Sequence, residues 1–421
     1  MLRKFLVPIL GTFALCSACQ TPQTDDTVSP DINSSVLDQA LSDLVDSESA
    51  AGASLLIYQS GEEIYFNAVG ASDREADRPW QRDTLVSLYS MTKPVTAVTL
   101  MTLYEEGLFD LDAPLSYYLP EYSDVKVFAG LDADGASILE VPRNPIKVID
   151  IFRHTACFGY GWESTPVATM MVEANVLDPS KPLSQFSEEL ADVPLYCHPG
   201  EQWKYGVSAD VQARLAEVVT ARPYEELIHE RVLDPLNMSE TRYFVPANEK
   251  ARVAAGYARN EANELTRQPD QAVYGLWPAK PVQINGGHGL IGTADDYMRF
   301  AQMLQNEGTL DGVQILKPET LALMSRDHLP DDLTAKDFLP FKGQIGYGLG
   351  MAVRVDPPKD ETEPFGVTGE FFWDGAASTL FWVDPENDLT VVFLTQVMPF
   401  DGAAHAKIRK AVYQSLGMLT D

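Results

Sequence analysis

The alternation of apolar and polar residues predicts a helix followed by a β-hairpin at the start of the fold. Apolar residues recur every three or four positions along 34–47, which is the spacing of an amphipathic helix. Two apolar runs follow at 53–58 and 63–69, and Ser60-Gly61 between them is a turn signal. The pattern therefore predicts two antiparallel strands joined by a tight turn.

A second group of predicted strands lies near the C-terminus. Short runs rich in β-branched and aromatic residues occur at 348–355, 369–373, 378–383 and 389–396. The segment Pro385 to Asp388 has the composition of a turn between the last two. Short strands are stable only when they share a sheet, so we expect these runs to join the N-terminal hairpin.

Helical spacing dominates the rest of the chain. The predicted helices are 92–106, 208–219, 224–232, a helix capped by Thr293 and Asp296, and a closing helix at about 403–416. The predicted fold class is therefore α/β (α+β). An antiparallel sheet built from the N- and C-terminal strands is flanked by helices, and a mostly helical subdomain is inserted at about 86–284.

The first 19 residues have the composition of an export signal. Arg3 and Lys4 precede an apolar run that is shorter than the roughly 20 residues of a membrane-spanning helix. Cys19 follows two small residues, which resembles the lipidation site of bacterial lipoproteins; plain cleavage after Ala18 is the alternative. Residues 20–33 predict a flexible tether and 34–421 the folded domain. We expect an exported protein in the bacterial periplasm or on the outer surface, anchored by the lipid.

Charge excludes one class of partner. The chain has 31 Lys and Arg against 61 Asp and Glu, a formal net charge of −30. Nucleic acid binding requires clustered basic residues, and so does a peripheral grip on anionic lipid. The expected partner is therefore a small molecule, and the expected membrane contact is the N-terminal lipid alone.

Two of the four cysteines, Cys157 and Cys197, follow the signal segment. An exported location permits a disulfide between them. Two buried free thiols remain an alternative, and so does a metal site with His154 and His198, although adjacent residues such as Cys197 and His198 chelate one ion poorly. No common metal or nucleotide motif occurs elsewhere, so we expect neither a metal nor a cofactor.

The first candidate for chemistry is Ser90-Met91-Thr92-Lys93. On a helix this spacing places a hydroxyl and an amine on the same side of one turn. A lysine with its ordinary pKa of about 10.4 is a poor base, so the site must bury the amine. The simpler alternative is that Ser90 only caps the helix. A second match, Ser123 to Lys126, lies in an alternating stretch that predicts non-helical backbone, where the two side chains point to opposite faces.

Two further segments supply candidate groups. Tyr205 follows a Pro-Gly turn just before a predicted helix, and neighbouring lysine would lower its pKa so that it takes and returns a proton. Gly375 lies on a predicted strand and lets a ligand approach the backbone. The amides of Ala376 and Ser90 could then stabilise an oxyanion. Each segment also has a purely structural interpretation, as a core tyrosine and as a strand break.

In this order, the segments resemble the serine β-lactamase and penicillin-recognising superfamily, above all class C β-lactamases and family VIII carboxylesterases. The resemblance spans nearly all of 34–416. It rests on Ser90 to Ala97, Asp110 to Pro120, Phe152 to Ala156, Pro199 to Tyr205, Asp234 to Met238, Gly286 to Asp296, and Trp373-Asp374-Gly375.

The resemblance implies an acyl-enzyme mechanism. Ser90 matches the nucleophile, Lys93 the base that activates it, and Tyr205 the tyrosine that shuttles protons. Trp373, Asp374 and Gly375 match the third motif, which contacts substrate. His288, in the glycine-rich turn, is a candidate substrate contact.

Two departures from the family favour a neutral ester as substrate. Val207 replaces the asparagine of class C enzymes, and Trp373 replaces a lysine that holds the lactam carboxylate. Asp374 would repel that carboxylate further. The expected function is cleavage of small carboxylic esters; the alternatives are a β-lactamase or D-amino-acid peptidase, and a ligand-binding lipoprotein without turnover. Cys157 stands where the family usually has glycine, which favours its pairing with Cys197.

Overall fold

The two ends of the chain meet in one antiparallel sheet. In the computed structural model, which describes residues 32–270 and 280–419, eight strands are hydrogen-bonded in the order β12-β13-β14-β15-β16-β1-β2-β3. The strands of the chain are β1 (Gly52–Gln59), β2 (Glu62–Asp73), β3 (Arg78–Pro79), β4 (Val86–Ser87), β5 (Val127–Leu131), β6 (Ser137–Glu140), β7 (Tyr257–Arg259), β8 (Leu265–Arg267), β9 (Ile291–Gly292), β10 (Thr309–Leu310), β11 (Val313–Gln314), β12 (Ile345–Tyr347), β13 (Ala352–Arg354), β14 (Phe371–Asp374), β15 (Leu380–Asp384), β16 (Leu389–Thr395) and β17 (Val397–Met398).

The N-terminal hairpin lies inside this sheet. β1 pairs with β2 on one side and with β16 on the other, so that Leu56 lies opposite both Phe66 and Val392. Strands far apart in sequence are therefore neighbours at the centre, as the sequence predicted. The short strands outside the main sheet form small pairs, such as β4 with β9 and β5 with β6.

Helices cover both faces of the sheet. They are α1 (Ser34–Asp46), α2 (Thr92–Glu105), α3 (Val148–Phe152), α4 (Pro166–Glu173), α5 (Leu183–Asp192), α6 (Ser208–Thr220), α7 (Tyr224–Ile228), α8 (Ala294–Gln305), α9 (Pro318–Met324) and α10 (Gly402–Ser415). Phe381 of β15 contacts Tyr297 of α8, while the next residue, Trp382, stacks on Tyr413 of α10. Successive strand residues point to opposite faces, so α8 and α10 lie on opposite sides.

Most predicted elements are present, with three differences. Helix α7 ends at Ile228 and continues as a π-helical turn, His229–Leu233. The strand expected from residue 348 begins only at Ala352, because Leu349 and Gly350 donate their amides to Met324 and Phe152 and not to a neighbouring strand.

The third difference concerns the second Ser-x-x-Lys segment. Its serine, Ser123, lies in a 3₁₀ turn, Pro120–Asp124, in a stretch expected to be non-helical. The predicted signal, the lipidation site Cys19 and most of the tether lie outside the described residues. Within the described ranges, no helix is long and apolar enough to cross a membrane.

Cys157 and Cys197 form a disulfide, with Cα atoms 5.3 Å apart. The bond resolves the alternatives that the sequence left open, and it leaves no thiolate there for a metal. Cys157 has φ +65°, a left-handed conformation that favours glycine. The backbone at this position is therefore one that glycine adopts without strain. The disulfide joins the loop that contains Cys157 to the segment that leads to Tyr205.

Removing this disulfide should lower stability without altering the fold. The variant Cys157→Gly/Cys197→Ala keeps a residue suited to the positive φ at 157. The cysteines are 40 residues apart, and the entropy of an open loop of that length predicts a loss of about 4 kcal/mol in the free energy of unfolding. Urea unfolding measures it. The matched control is the parent protein with a reducing agent, and an unchanged midpoint in both samples would contradict the prediction.

Candidate active site

Ser90 and Lys93 face each other at the start of helix α2. Ser90 lies in a 3₁₀ turn, Tyr89–Met91, that leads directly into the helix. The Lys93 amine donates to Ser90 Oγ at 3.0 Å. The three-residue spacing therefore brings the two groups together, as the helical interpretation of the motif requires.

Burial lowers the pKa of the Lys93 amine into the range that a base needs near neutral pH. The side chain is 1% exposed, and Nζ also donates to the carbonyl of Gly287 at 2.8 Å. Loss of solvation lowers the pKa of Lys93 from 10.5 to about 7, although the carboxylates of Asp210 and Asp374 act in the opposite direction. A neutral amine can keep its hydrogen bond to Gly287 and accept the Ser90 proton on its lone pair.

Asp210 and a pair of glycines hold the Lys93 amine in place. Asp210 is buried, and its Oδ1 accepts the Gly287 amide at 2.9 Å. A Cβ on Gly286 would lie 2.1 Å from the carbonyl oxygen of Ala209, so only glycine lets this segment approach helix α6. The sequence signalled the glycines but not Asp210, which has no motif of its own.

Tyr205 is held by an aromatic cluster. Its ring stacks on Trp203 with centroids 5.7 Å apart and contacts His154 at 5.0 Å, and its amide donates to Asp337 Oδ2 at 3.1 Å. Lys93 Nζ lies 4.7 Å from the Tyr205 ring centre.

The expected lowering of the Tyr205 pKa is wrong. Burial raises the pKa well above 10, while nearby Ser90 and Trp373 act in the lowering direction. Tyr205 is therefore a protonated phenol at neutral pH, suited to donating and relaying a proton and not to acting as a resident phenolate.

The turn after β14 lies close to the residues just before Ser90. A Cβ on Gly375 would lie 2.5 Å from the Leu88 carbonyl oxygen and 2.3 Å from Thr379 Oγ1, so a side chain would push the turn away from the residues just before Ser90. Among the described residues, neither the Ser90 amide nor the Ala376 amide has a hydrogen-bond acceptor. Two free donors thus line the same cavity, as an oxyanion site requires.

These groups open into a cavity of about 380 Å³. Its walls are mainly apolar and aromatic: Trp162, Phe338, Phe341, Pro364, Phe372, Leu380 and Phe400. Ser90, Tyr205, Asp374 and Ala376 line it as the sequence anticipated, and Lys342, Gly402, His405 and Arg409 complete it. A concave, apolar site with a few convergent polar groups is typical of a small-molecule pocket.

Three of the residues expected to contact substrate do not line the cavity. Trp373 is fully buried, and its ring centre lies 5.5 Å from that of Tyr205, so it packs against the tyrosine. Gly375 acts through its close approach to Leu88. His288 is exposed, and its Nε2 lies 3.2 Å from Asn285 Nδ2. The glycine-rich turn contributes the Gly287 carbonyl and not the histidine.

Asp374 is not the uncompensated negative charge that the sequence suggested. Its Oδ2 forms an ion pair with Lys342 Nζ, and the two side chains are 11% and 10% exposed. Lys342 ends a 3₁₀ turn, Leu339–Lys342, in a loop without any recognisable motif. Sequence reasoning missed it because the contact joins residues that belong to separate segments.

Comparisons with known proteins show the family of the chain. A family model described as Beta-lactamase matches residues 37–414. An uncharacterised protein of Mycobacterium tuberculosis is 34% identical over 407 residues, covering 90% of this chain and 98% of the relative. Esterase EstB of Burkholderia gladioli is 29% identical over 404 residues, covering 90% and 93%.

A solved structure shows the same fold. EstCE1, described as a hydrolase with promiscuous acyltransferase activity, superposes with a TM-score of 0.73 at 25% identity, covering 90% of this chain and 98% of its own.

The close approach at Gly375 generates a test of the oxyanion site. In Gly375→Ala the new methyl group displaces the turn that carries the Ala376 amide. We expect turnover to fall about 100-fold or more, the effect of losing one oxyanion donor. Initial rates on an activated ester measure it.

The neighbouring variant Ala376→Ser is the control for this test. It changes an exposed side chain but keeps the amide, and should retain most of the turnover. Equal rates for Gly375→Ala and Ala376→Ser would argue against the Ala376 amide.

Proposed function

The chain belongs to the beta-lactamase family and is a serine hydrolase of that family, and from this premise we propose that it cleaves small carboxylic esters through an acyl-enzyme on Ser90. The observation that carries the proposal is the 3.0 Å contact between Ser90 Oγ and the Lys93 amine, whose pKa burial lowers to about 7. Activated nucleophiles of this kind support covalent catalysis.

In the first half-reaction, Ser90 Oγ attacks the ester carbonyl carbon while its proton moves to Lys93 Nζ. The carbonyl oxygen becomes an oxyanion, and the Ser90 and Ala376 amides donate to it. The C–O bond to the alcohol then breaks. The departing oxygen takes a proton from the Tyr205 hydroxyl, which regains one from Lys93, and an acyl group remains on Ser90.

The second half-reaction reverses these roles. Water attacks the acyl carbon and gives its proton to the Tyr205 and Lys93 pair. The same two amides hold the second oxyanion, and its collapse releases the carboxylic acid and returns the proton to Ser90 Oγ. An alcohol in place of water would give acyl transfer by the same steps, which are balanced in protons and need no cofactor.

The cavity favours neutral esters over penicillins or peptide carboxylates. Val207, at the position of the class C asparagine, is fully buried and does not line the cavity. Trp373 is equally buried, and Lys342 is already paired with Asp374. An anionic substrate would therefore meet mainly apolar walls, a lysine paired with Asp374 and an arginine, Arg409, paired with Glu370.

Substituting the nucleophile tests this function. Ser90→Ala should reduce the hydrolysis of 4-nitrophenyl butyrate by at least about 1,000-fold, because the acyl-enzyme forms on the Ser90 hydroxyl. The release of 4-nitrophenol measures it.

Ser123→Ala is the matched control, because Ser123 belongs to the second Ser-x-x-Lys segment and is exposed. It should keep the parental rate. Full activity in Ser90→Ala would contradict the proposal, and an inactive parent whose Ser90 is labelled by fluorescent penicillin would favour the lactamase or peptidase alternative.

The pKa of Lys93 predicts the pH dependence. The base must be neutral, and burial lowers its pKa to about 7, so kcat/KM should rise as pH increases through that value and level off above it. The pH profile of 4-nitrophenyl butyrate hydrolysis measures the acidic limb.

Lys93→Arg provides the control for the pH profile. A guanidinium stays protonated at every accessible pH, so this variant should be inactive across the range. A parental kcat/KM that is flat between about pH 5.5 and 8.5 would contradict the role of Lys93 as the base.

A further inference from the structure

The ion pair between Lys342 and Asp374 lies in the wall of the active-site cavity. Both residues line that cavity together with Ser90 and Tyr205. Lys342 Nζ also lies 4.5 Å from the ring centre of Phe400 and 5.3 Å from that of Trp373. Aromatic faces stabilise a cation but leave its hydrogen-bond donors to a carboxylate. The side chains are only about one-tenth exposed, so water screens the pair weakly.

Besides Tyr205, two other ionisable residues line the cavity, His405 and Arg409. His405 is neutral, since burial lowers its pKa to about 4, and its Nε2 contacts the Ser378 carbonyl at 2.8 Å. Arg409 shares the Glu370 carboxylate with Arg354, donating to Oε1 at 2.9 Å, and its guanidinium stacks over the ring of Phe372 at 4.5 Å. Its Nη2 is buried and has no hydrogen-bond partner among the described residues. Lys342 and Asp374 are therefore the one charged pair in the described wall whose two members both line the cavity.

The position of the pair relates it to the acyl part of a substrate. Asp374 ends β14, two residues before Ala376, whose amide holds the acyl oxygen in the proposed mechanism. Phe372, Leu380 and Phe400 line the same cavity and offer apolar contacts to an acyl chain.

We propose that the Lys342–Asp374 pair is a specificity determinant that restricts the cavity to esters with uncharged acyl groups. The inference rests on the proposed ester hydrolysis and adds the charge of the substrate class. A charged acyl group would have to displace one partner and leave the other unpaired in a poorly solvated site. Each residue thus masks a binding site for the opposite charge: Lys342 for a carboxylate and Asp374 for an ammonium.

The experiment compares three esters that share one leaving group. They are 4-nitrophenyl hexanoate, the mono-4-nitrophenyl ester of adipic acid, which replaces the terminal methyl by a carboxylate, and 4-nitrophenyl 6-aminohexanoate, which ends in an ammonium. Non-enzymatic hydrolysis is subtracted. The readout is the ratio of kcat/KM for hexanoate to that for each charged ester. Because every ester uses the same catalytic groups, a general change in activity cancels in the ratio.

The parent protein should prefer hexanoate over both charged esters. Asp374→Asn frees the Lys342 ammonium, and the preference for hexanoate over adipate should fall about 10- to 100-fold, the value of one charge-assisted hydrogen bond. The double variant Lys342→Met/Asp374→Asn should restore that preference, since it removes the cation as well.

Lys342→Met tests the inference independently if Asp374→Asn does not fold. This substitution leaves the Asp374 carboxylate unpaired, so the preference for hexanoate over 6-aminohexanoate should fall by a similar factor, while discrimination against adipate should increase. The inference is overturned if, in every one of the two single variants that folds, the ratios stay within about twofold of the parental ratios.

The two proposals fail in different ways. If the parent hydrolyses none of the esters, ester hydrolysis itself is wrong. If it hydrolyses hexanoate but charge selectivity does not respond to either substitution, only the role of the ion pair is wrong. A parent that prefers adipate would likewise overturn the inference, because Lys342 would then bind the substrate carboxylate directly.

Discussion

The burial of the Lys93 amine is the constraint on which the active site depends. An ammonium is poorly stable away from water, so burial lowers the pKa of the amine to about 7 and a large fraction of it is neutral at neutral pH. Its remaining hydrogen-bonding capacity must then be satisfied by protein groups. The Gly287 carbonyl and Ser90 Oγ do this, and Asp210 fixes Gly287 in turn. Ser90, Lys93 and the glycine-rich segment therefore form one unit.

The sheet brings the second half of the site to that unit. β1 pairs with β16, and β16 pairs with β15, so the C-terminal strands lie beside the N-terminal hairpin. The turn between β14 and β15 then reaches the residues just before Ser90, where Gly375 allows a contact that a side chain would prevent. The Ser90 amide lies in the 3₁₀ turn that leads into α2, and the Ala376 amide lies in the turn between β14 and β15, so the sheet and the helix together fix the positions of both donors.

The loop that carries Lys342 is tied to the site at several points. The Trp203 amide donates to Ala335, the Tyr205 amide to Asp337, and Lys342 pairs with Asp374. On the other side, the disulfide joins the loop at Cys157 to the segment before Tyr205. Tyr205 is thus held between two cross-linked segments, which preserves its distance from Lys93 and the shape of the cavity wall.

The sequence by itself determined the features that depend on neighbouring residues. Helical spacing gave the Ser90 and Lys93 pair, apolar alternation gave the central strands, and the order of the motifs gave the family. The tertiary structure decided which charges meet and which groups water reaches. The raised pKa of Tyr205, the support of Lys93 by Asp210, the exposure of His288 and the pairing of Lys342 with Asp374 all belong to this second class. Desolvation and ion pairing act through space between segments far apart in the chain, so local sequence patterns carry no signal for them.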